Sequence, residues 1–207
     1  MEIEIFSEDD QLARLIEVMK RHGAKPERLD KVLSMIDDLL NQDAYLDRLD
    51  WDAVRGAIGL NLNFYVDHSL TFEQMVYAAC DVRNSCVTEE VFPVKGNGIV
   101  AFEARHLGFN RGVYSRDAWR KIGSEDTKNP WAPAEFDQLL AYGASFPDKP
   151  LKFPIVGLGS IGKVGDRYVV PYLGRSGPDR SLDLMGLDRL FPTVFRFLAV
   201  RPVARKS

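Results

Sequence analysis

Up to about residue 83 the apolar side chains recur at helical spacing. Beyond Cys86 they fall into short runs broken by glycine and proline. A chain with that division folds as helices followed by short strands, not as an alternating βαβ array. Ser7 and Asp10 make a capping-box-like start, Leu12, Leu15, Ile16 and Met19 share one face, and Gly23 stops the helix. Pro26 opens a second helix, whose Leu29, Val32, Leu33, Ile36, Leu39 and Leu40 form the cleanest amphipathic stripe in the chain. A third helix is expected from Trp51 to about Leu60. Thr71 with Gln74 caps a fourth, which carries Phe72, Met75, Val76 and Ala79.

The pattern then changes. Ile99 to Leu107 reads as a strand with Val100, Phe102, Ala104 and His106 on one face and Glu103 and Arg105 on the other. Ser115 begins a short helix carrying Trp119 and Ile122 and closed by Gly123. Pro133 opens another, with Phe136, Leu139 and Leu140 inward. Pro154-Ile155-Val156 is a strand, and Ser160 to Leu173 reads as a hairpin around Gly165-Asp166. Gly177-Pro178-Asp179 is a further turn. Ser181–Leu184 and Val194–Arg201 complete a set of short strands.

Gly157-Leu-Gly159-Ser-Ile-Gly162 spells the dinucleotide fingerprint G-x-G-x-x-G. The fingerprint works only where a helix begins inside it, so that free amides face a pyrophosphate. Here Gly165 and Pro171 break any helix and Tyr168-Val-Val prefers strand. The segment therefore reads as a glycine-rich strand against which another backbone packs closely.

Other constellations are weaker. His22 sits at a helix end, His68 in a loop and His106 on a strand, with no nucleophile–base pair, so no catalytic residue is assigned. Asp37-Asp38 and Glu89-Glu90 read as solvated pairs. Cys80 and Cys86 read as reduced thiols, and no metal or cofactor is expected. Net charge is −3, but residues 1–70 hold fifteen acidic and eight basic side chains, and residues 151–207 four acidic and ten basic. The asymmetry suits two ends that attract each other, or a basic face for an anionic partner. No Lys/Arg run is dense enough for nucleic acid, and no apolar run is long enough for a membrane span. Met1-Glu-Ile-Glu-Ile-Phe does not read as a secretory signal, and a cytoplasmic location is expected.

Several segments carry a resemblance. They are Asn63-Phe-Tyr-Val-Asp-His-Ser-Leu-Thr-Phe-Glu-Gln-Met75, Val87-Thr-Glu-Glu-Val-Phe-Pro-Val-Lys-Gly-Asn97 and Gly108-Phe-Asn-Arg111. Ala132-Pro-Ala-Glu-Phe-Asp-Gln-Leu-Leu-Ala-Tyr-Gly143, Phe153-Pro-Ile-Val-Gly-Leu-Gly-Ser160 and Phe195-Arg-Phe-Leu-Ala-Val-Arg201 follow. In this order they resemble a group of uncharacterised bacterial proteins with FPIVALGS, VPYL and RFLAVR segments. That group resembles the variable proteins of diversity-generating retroelements, which carry a C-type-lectin-like domain. The resemblance implies a variable stretch between Pro171 and Phe195. Tyr172, Arg175, Ser176, Asp183, Met185, Leu187, Arg189 and Phe191 would then face a ligand. The lectin-like domain is related in fold to the formylglycine-generating enzyme, whose catalytic cysteines have no counterpart here, since no Cys follows Cys86.

The expected architecture is α+β. A helical region, 1–83, precedes a C-type-lectin-like domain, 84–207, of short, mainly antiparallel strands with two helices. The expected role is non-enzymatic binding of a protein or small-molecule ligand, compatible with a homo-oligomer. The alternatives are a nucleotide-binding enzyme using Gly157, Gly159 and Gly162, or an assembly protein docking through its acidic helices.

Overall fold

A computed structural model describes residues 62–123 and 130–203. The three helices expected before residue 61 lie outside the described residues. All described residues fall in one unit, Leu62–Ser207.

The unit is α+β. β1 (Leu62–Asp67), α1 (Phe72–Ala79) and β2 (Val82–Arg83) come first, followed by β3 (Ile99–Leu107), β4 (Val113–Tyr114) and α2 (Ser115–Gly123). Next are β5 (Ala132–Pro133), α3 (Phe136–Ser145), α4 (Lys149–Lys152), β6 (Ile155–Val156) and β7 (Gly162–Val164). β8 (Arg167–Ser176), β9 (Asp179–Gly186), β10 (Leu190–Phe191) and β11 (Arg196–Pro202) complete the order. The main sheet runs β1-β3-β11-β6-β8-β9-β2, with β5 paired to β11 and β7 to β8; β4 and β10 form a separate ribbon. All pairs are antiparallel except β11 with β6 and β2 with β9.

Alternation along the strands divides the core in two. Leu198 and Val200 of β11 join Ile155, Leu173 and the α1 and α3 residues Met75, Val76, Leu139 and Leu140 in one cluster. Phe197 and Ala199 join Val156, Val170, Phe191 and the α2 residues Ala118 and Ile122 in the other. The sheet is therefore packed on both faces around β11. That is why Phe197-Leu-Ala-Val200 is a continuous apolar run.

Local signals act as their chemistry demands. Thr71 Oγ1 accepts from Gln74 N at 3.3 Å while Thr71 N donates to Gln74 Oε1 at 2.8 Å, which starts α1. Gly165 and Gly177 hold φ of +58° and +62° in two-residue turns that join β7 to β8 and β8 to β9. Only glycine enters that region without steric cost.

Three expectations change. Residues 62–67, read within the helical region, form strand β1, in which Phe64 and Val66 face the core and Asn63 and Tyr65 do not. Period-two alternation overrides the helical neighbourhood. Beyond residue 84 the described helices number three rather than two; the addition is the single turn α4, too short for periodicity to reveal. The third concerns the glycine segment. Gly162 opens strand β7 and no helix starts there, which removes the phosphate-binding geometry that the nucleotide-binding alternative requires.

The glycines have a packing role instead. Gly159 N donates to Ala134 O at 2.8 Å, and Phe136 N, at the start of α3, donates to Ser160 Oγ at 2.9 Å. A Cβ on Gly159 would lie 2.5 Å from Pro133 O, and one on Gly157 3.1 Å from Ala134 O. A Cβ on Gly162 would lie 2.5 Å from Val91 Cγ1. Gly159→Ala is expected to cost about 1–3 kcal/mol by overpacking. Gly123→Ala, whose Cβ meets nothing within 4 Å, should leave the denaturation midpoint in place. Equal midpoints for the two variants in urea melts would refute the close crossing.

Candidate functional site

A concavity lies at the end of the β8–β9 ribbon where Val169 pairs with Gly186. It is a cleft of about 890 Å³ lined by Ser115, Asp166–Val169 and Leu184–Arg189. Its walls are hydrogen-bonded to each other. Leu187 N donates to Tyr168 O at 2.9 Å, and Ser115 Oγ donates to Leu187 O at 2.6 Å. Beside it lies a shallower groove of about 410 Å³ lined by Ser115, Arg116, Trp119, Arg120, Ile161 and Leu187. Ser115 and Leu187 belong to both.

The eight residues expected to face a ligand divide into four groups. Met185, Leu187 and Arg189 line the cleft. Tyr172 and Asp183 are cross-strand partners farther along the same ribbon. Arg175 and Ser176 are exposed at the opposite end, beside the Gly177 turn. The ribbon thus keeps them apart from the cleft, since a strand advances roughly 3.3 Å per residue. Phe191 is fully buried, with its ring edge-on to Phe195 and Phe197 at centroid distances of 5.6 and 5.3 Å. The expectation that Phe191 faces a ligand is corrected here. β10 pairs with β4, and alternation turns Leu190 outward and Phe191 into the core.

Tyr172 and Asp183 form a small polar network. Asp183 Oδ1 accepts from Asn84 Nδ2 at 2.6 Å and from its neighbour Leu184 N at 2.7 Å, and Oδ2 accepts from Tyr172 OH at 3.3 Å. Burial raises the Tyr172 phenol above its ordinary value, and the Asp183 charge and hydrogen bond add to the effect. Nearby, Arg180 locks β9 to the end of α1. Its Nη2 and Nε donate to Asp81 at 2.9 and 3.1 Å, and its Nη1 donates to Ala78 O at 3.1 Å. The bond from Arg180 holds the Asp81 carboxyl below the usual carboxylate range.

Comparison with protein-family models, with curated proteins and with solved structures finds no match to this chain. The site must therefore be read from its own chemistry.

Sequence reasoning missed two features. The first is the aromatic and cationic rim. Trp119, Ile161 and Tyr168 remain 42%, 43% and 59% exposed, so all three offer contact area to a partner. The signal for Trp119 lay in its helix: Ser115, Ala118 and Ile122 already make the buried stripe, which leaves Trp119 on the flank. The second is a buried pair. His68 Nε2 lies 2.8 Å from Asp137 Oδ2, with both side chains under a tenth exposed, and Nδ1 lies 3.3 Å from Gly98 O. A Cβ on Gly96 would fall 2.4 Å from the imidazole, so the glycine lets the loop close over the ring. Both ring nitrogens are engaged, which makes His68 a clasp between the β1 end and α3. His106 is also buried, edge-on to Tyr142 and Phe153 at 5.3 and 5.2 Å. Among the described residues no group of three or more His, Cys, Asp or Glu is placed to hold a metal, and no helix is long and apolar enough to cross a membrane. Cys80 is buried, which pushes its thiol up to about 11, while Cys86 is exposed.

Two outcomes follow from this geometry. Phe191→Ala should cost about 3–5 kcal/mol, as for a core aromatic, in urea melts; a change below about 0.5 kcal/mol would return Phe191 to the surface. The second concerns alkaline pH. The folded chain holds the Tyr172 proton more tightly than the unfolded chain. The corresponding stability is complete below the ordinary phenol value of 10 and is lost as pH rises through the higher folded value. Tyr172→Phe should therefore lose less stability than the parent as pH is raised past 10. Parallel stability–pH profiles for the two proteins would exclude this linkage.

Proposed function

We propose that this chain is a non-enzymatic binding protein whose recognition surface is the cleft at the Val169–Gly186 end of the β8–β9 ribbon together with the adjoining α2 groove. One observation carries the proposal: exposed aromatic side chains and arginines gather around a concave surface held on a sheet with two packed faces. Trp119, Tyr168, Arg116, Arg120, Arg167 and Arg189 all border it. Aromatic residues and arginine are the side chains that most often anchor interfaces. Catalysis is not part of the proposal, because His68 and His106 are both tied into buried contacts.

A C-type-lectin-like arrangement is the finer form of the same reading. It is supported by the place of β11, which pairs inside the sheet with β3 and β6. The residues between β9 and β11 project the cleft wall and β10 outside that pairing. Such a layout lets a recognition edge vary while the closing strand is kept by packing. The sequence resemblance over residues 63–207 points the same way.

The test compares the parent with the Arg167→Ala, Tyr168→Ala, Arg189→Ala triple variant on arrays of glycans, peptides and small molecules. The melting temperature should stay within a few degrees, since exposed substitutions cost up to about 0.5 kcal/mol each. Ligands retained by the parent should be lost by the variant. Retention of every ligand by a folded triple variant would place recognition elsewhere.

A further inference from the structure

The α2 groove has a chemistry of its own. Trp119, Ile161 and Leu187 give it an apolar floor, and among the described residues its charged lining side chains are Arg116 and Arg120. The carboxylate beside them is Asp117 of the same helix, whose Oδ1 lies 3.4 Å from Arg120 Nη1 and 3.9 Å from Arg116 Nε. Each guanidinium offers five N–H donors in a fixed fork. A single carboxylate at those distances leaves most of them facing solvent, on side chains 81% and 72% exposed. The groove therefore joins an apolar seat to unspent donors suited to carboxylates.

We propose that this groove docks an acidic peptide segment carrying one large apolar or aromatic anchor, with the anchor against Trp119, Ile161 and Leu187 and flanking carboxylates on Arg116 and Arg120. The inference rests on the reading of the cleft and groove as a recognition surface, and it names the partner's chemistry.

Size and charge both select this occupant. A groove of about 410 Å³ seats a side chain and its flanks, not a domain. Ser115 and Leu187 continue into the larger cleft, where Asp166 and Asp188 offset Arg167 and Arg189, so the acidic flanks of the segment stay on Arg116 and Arg120 of the groove. A nucleic acid fits less well, because Asp117, Asp166 and Asp188 interrupt the arginines along any phosphate track. A second copy meeting the groove about a two-fold axis would bring like guanidiniums together.

The test is a selection of displayed random peptides on the full chain, followed by anisotropy titration of the selected peptides. Peptides rich in Asp and Glu around a Phe, Trp or Leu should be enriched, and their affinity should fall as salt is raised. Binding should weaken by about tenfold or more in Trp119→Ala and in the Arg116→Glu, Arg120→Glu double variant, each with the parent's melting temperature. Enrichment of basic or neutral peptides, equal enrichment by the folded double variant, or competition by an oligothymidylate would overturn the proposal. Two failures are separable. If no acidic peptide binds but array ligands still depend on Arg167, Tyr168 and Arg189, the recognition surface stands and the peptide chemistry falls. If array ligands are also indifferent to those residues, both fall.

Discussion

The structure depends on a place where two backbones pass with no room for a side chain between them. The Gly157–Ser160 segment crosses beneath the Pro133–Phe136 turn. Gly159 N bonds to Ala134 O, and Ser160 Oγ receives the first amide of α3. A Cβ on Gly159 would fall 2.5 Å from Pro133 O. This crossing fixes the start of α3 against the strand that leads into the β7–β8 hairpin. It therefore sets both the packing of Leu139 and Leu140 on the first core and the place of the β7–β8 hairpin in the sheet. A motif that on paper suggests nucleotide chemistry is a spacing device.

The second consequence of the crossing is the position of the site. β8 and β9 share eight paired positions, from Val169 with Gly186 to Ser176 with Asp179. A ribbon this long is anchored by its middle, where Val170 and Leu173 enter opposite cores. Its two ends carry exposed side chains. Arg175 and Ser176 stand at one end, and Met185, Leu187 and Arg189 stand at the other beside α2. Side chains on such a ribbon are held by main-chain pairing, so one at the cleft can change without moving the wall.

Much of the local structure was legible in the sequence, and most of the long-range structure was not. β3 was readable because Val100, Phe102, Ala104 and His106 alternate with residues of other character. The α1 start was readable because Thr71 and Gln74 carry their own hydrogen-bond chemistry. Gly165 and Gly177 announced their turns. What failed needed a partner distant in sequence. β1 becomes a strand because β3 supplies its ladder. His68 meets Asp137 across 69 positions. Phe191, which the resemblance implied would face a ligand, turns into the core because β10 pairs with β4. The site was partly legible through the resemblance, which implied Met185, Leu187 and Arg189 on β9 and the turn after it, all lining the cleft. Trp119, Ile161 and Tyr168 reach them only through the fold.

The place of β11 has a bearing on how the chain reaches this state. Its register joins Phe197 to Leu107 and Pro202 to Phe102, so its pairing with β3 spans 90 to 100 positions. Closing a loop of that length costs on the order of 4 kcal/mol of chain entropy before any contact compensates it. Both cores also wait for β11, since Leu198 and Phe197 sit one in each. Hairpins such as β8–β9 can form early and locally, but their apolar faces stay open to water until this strand arrives. During that interval the half-built sheet offers unpaired edges to other chains. Slow, concentration-sensitive refolding is the behaviour that this topology dictates.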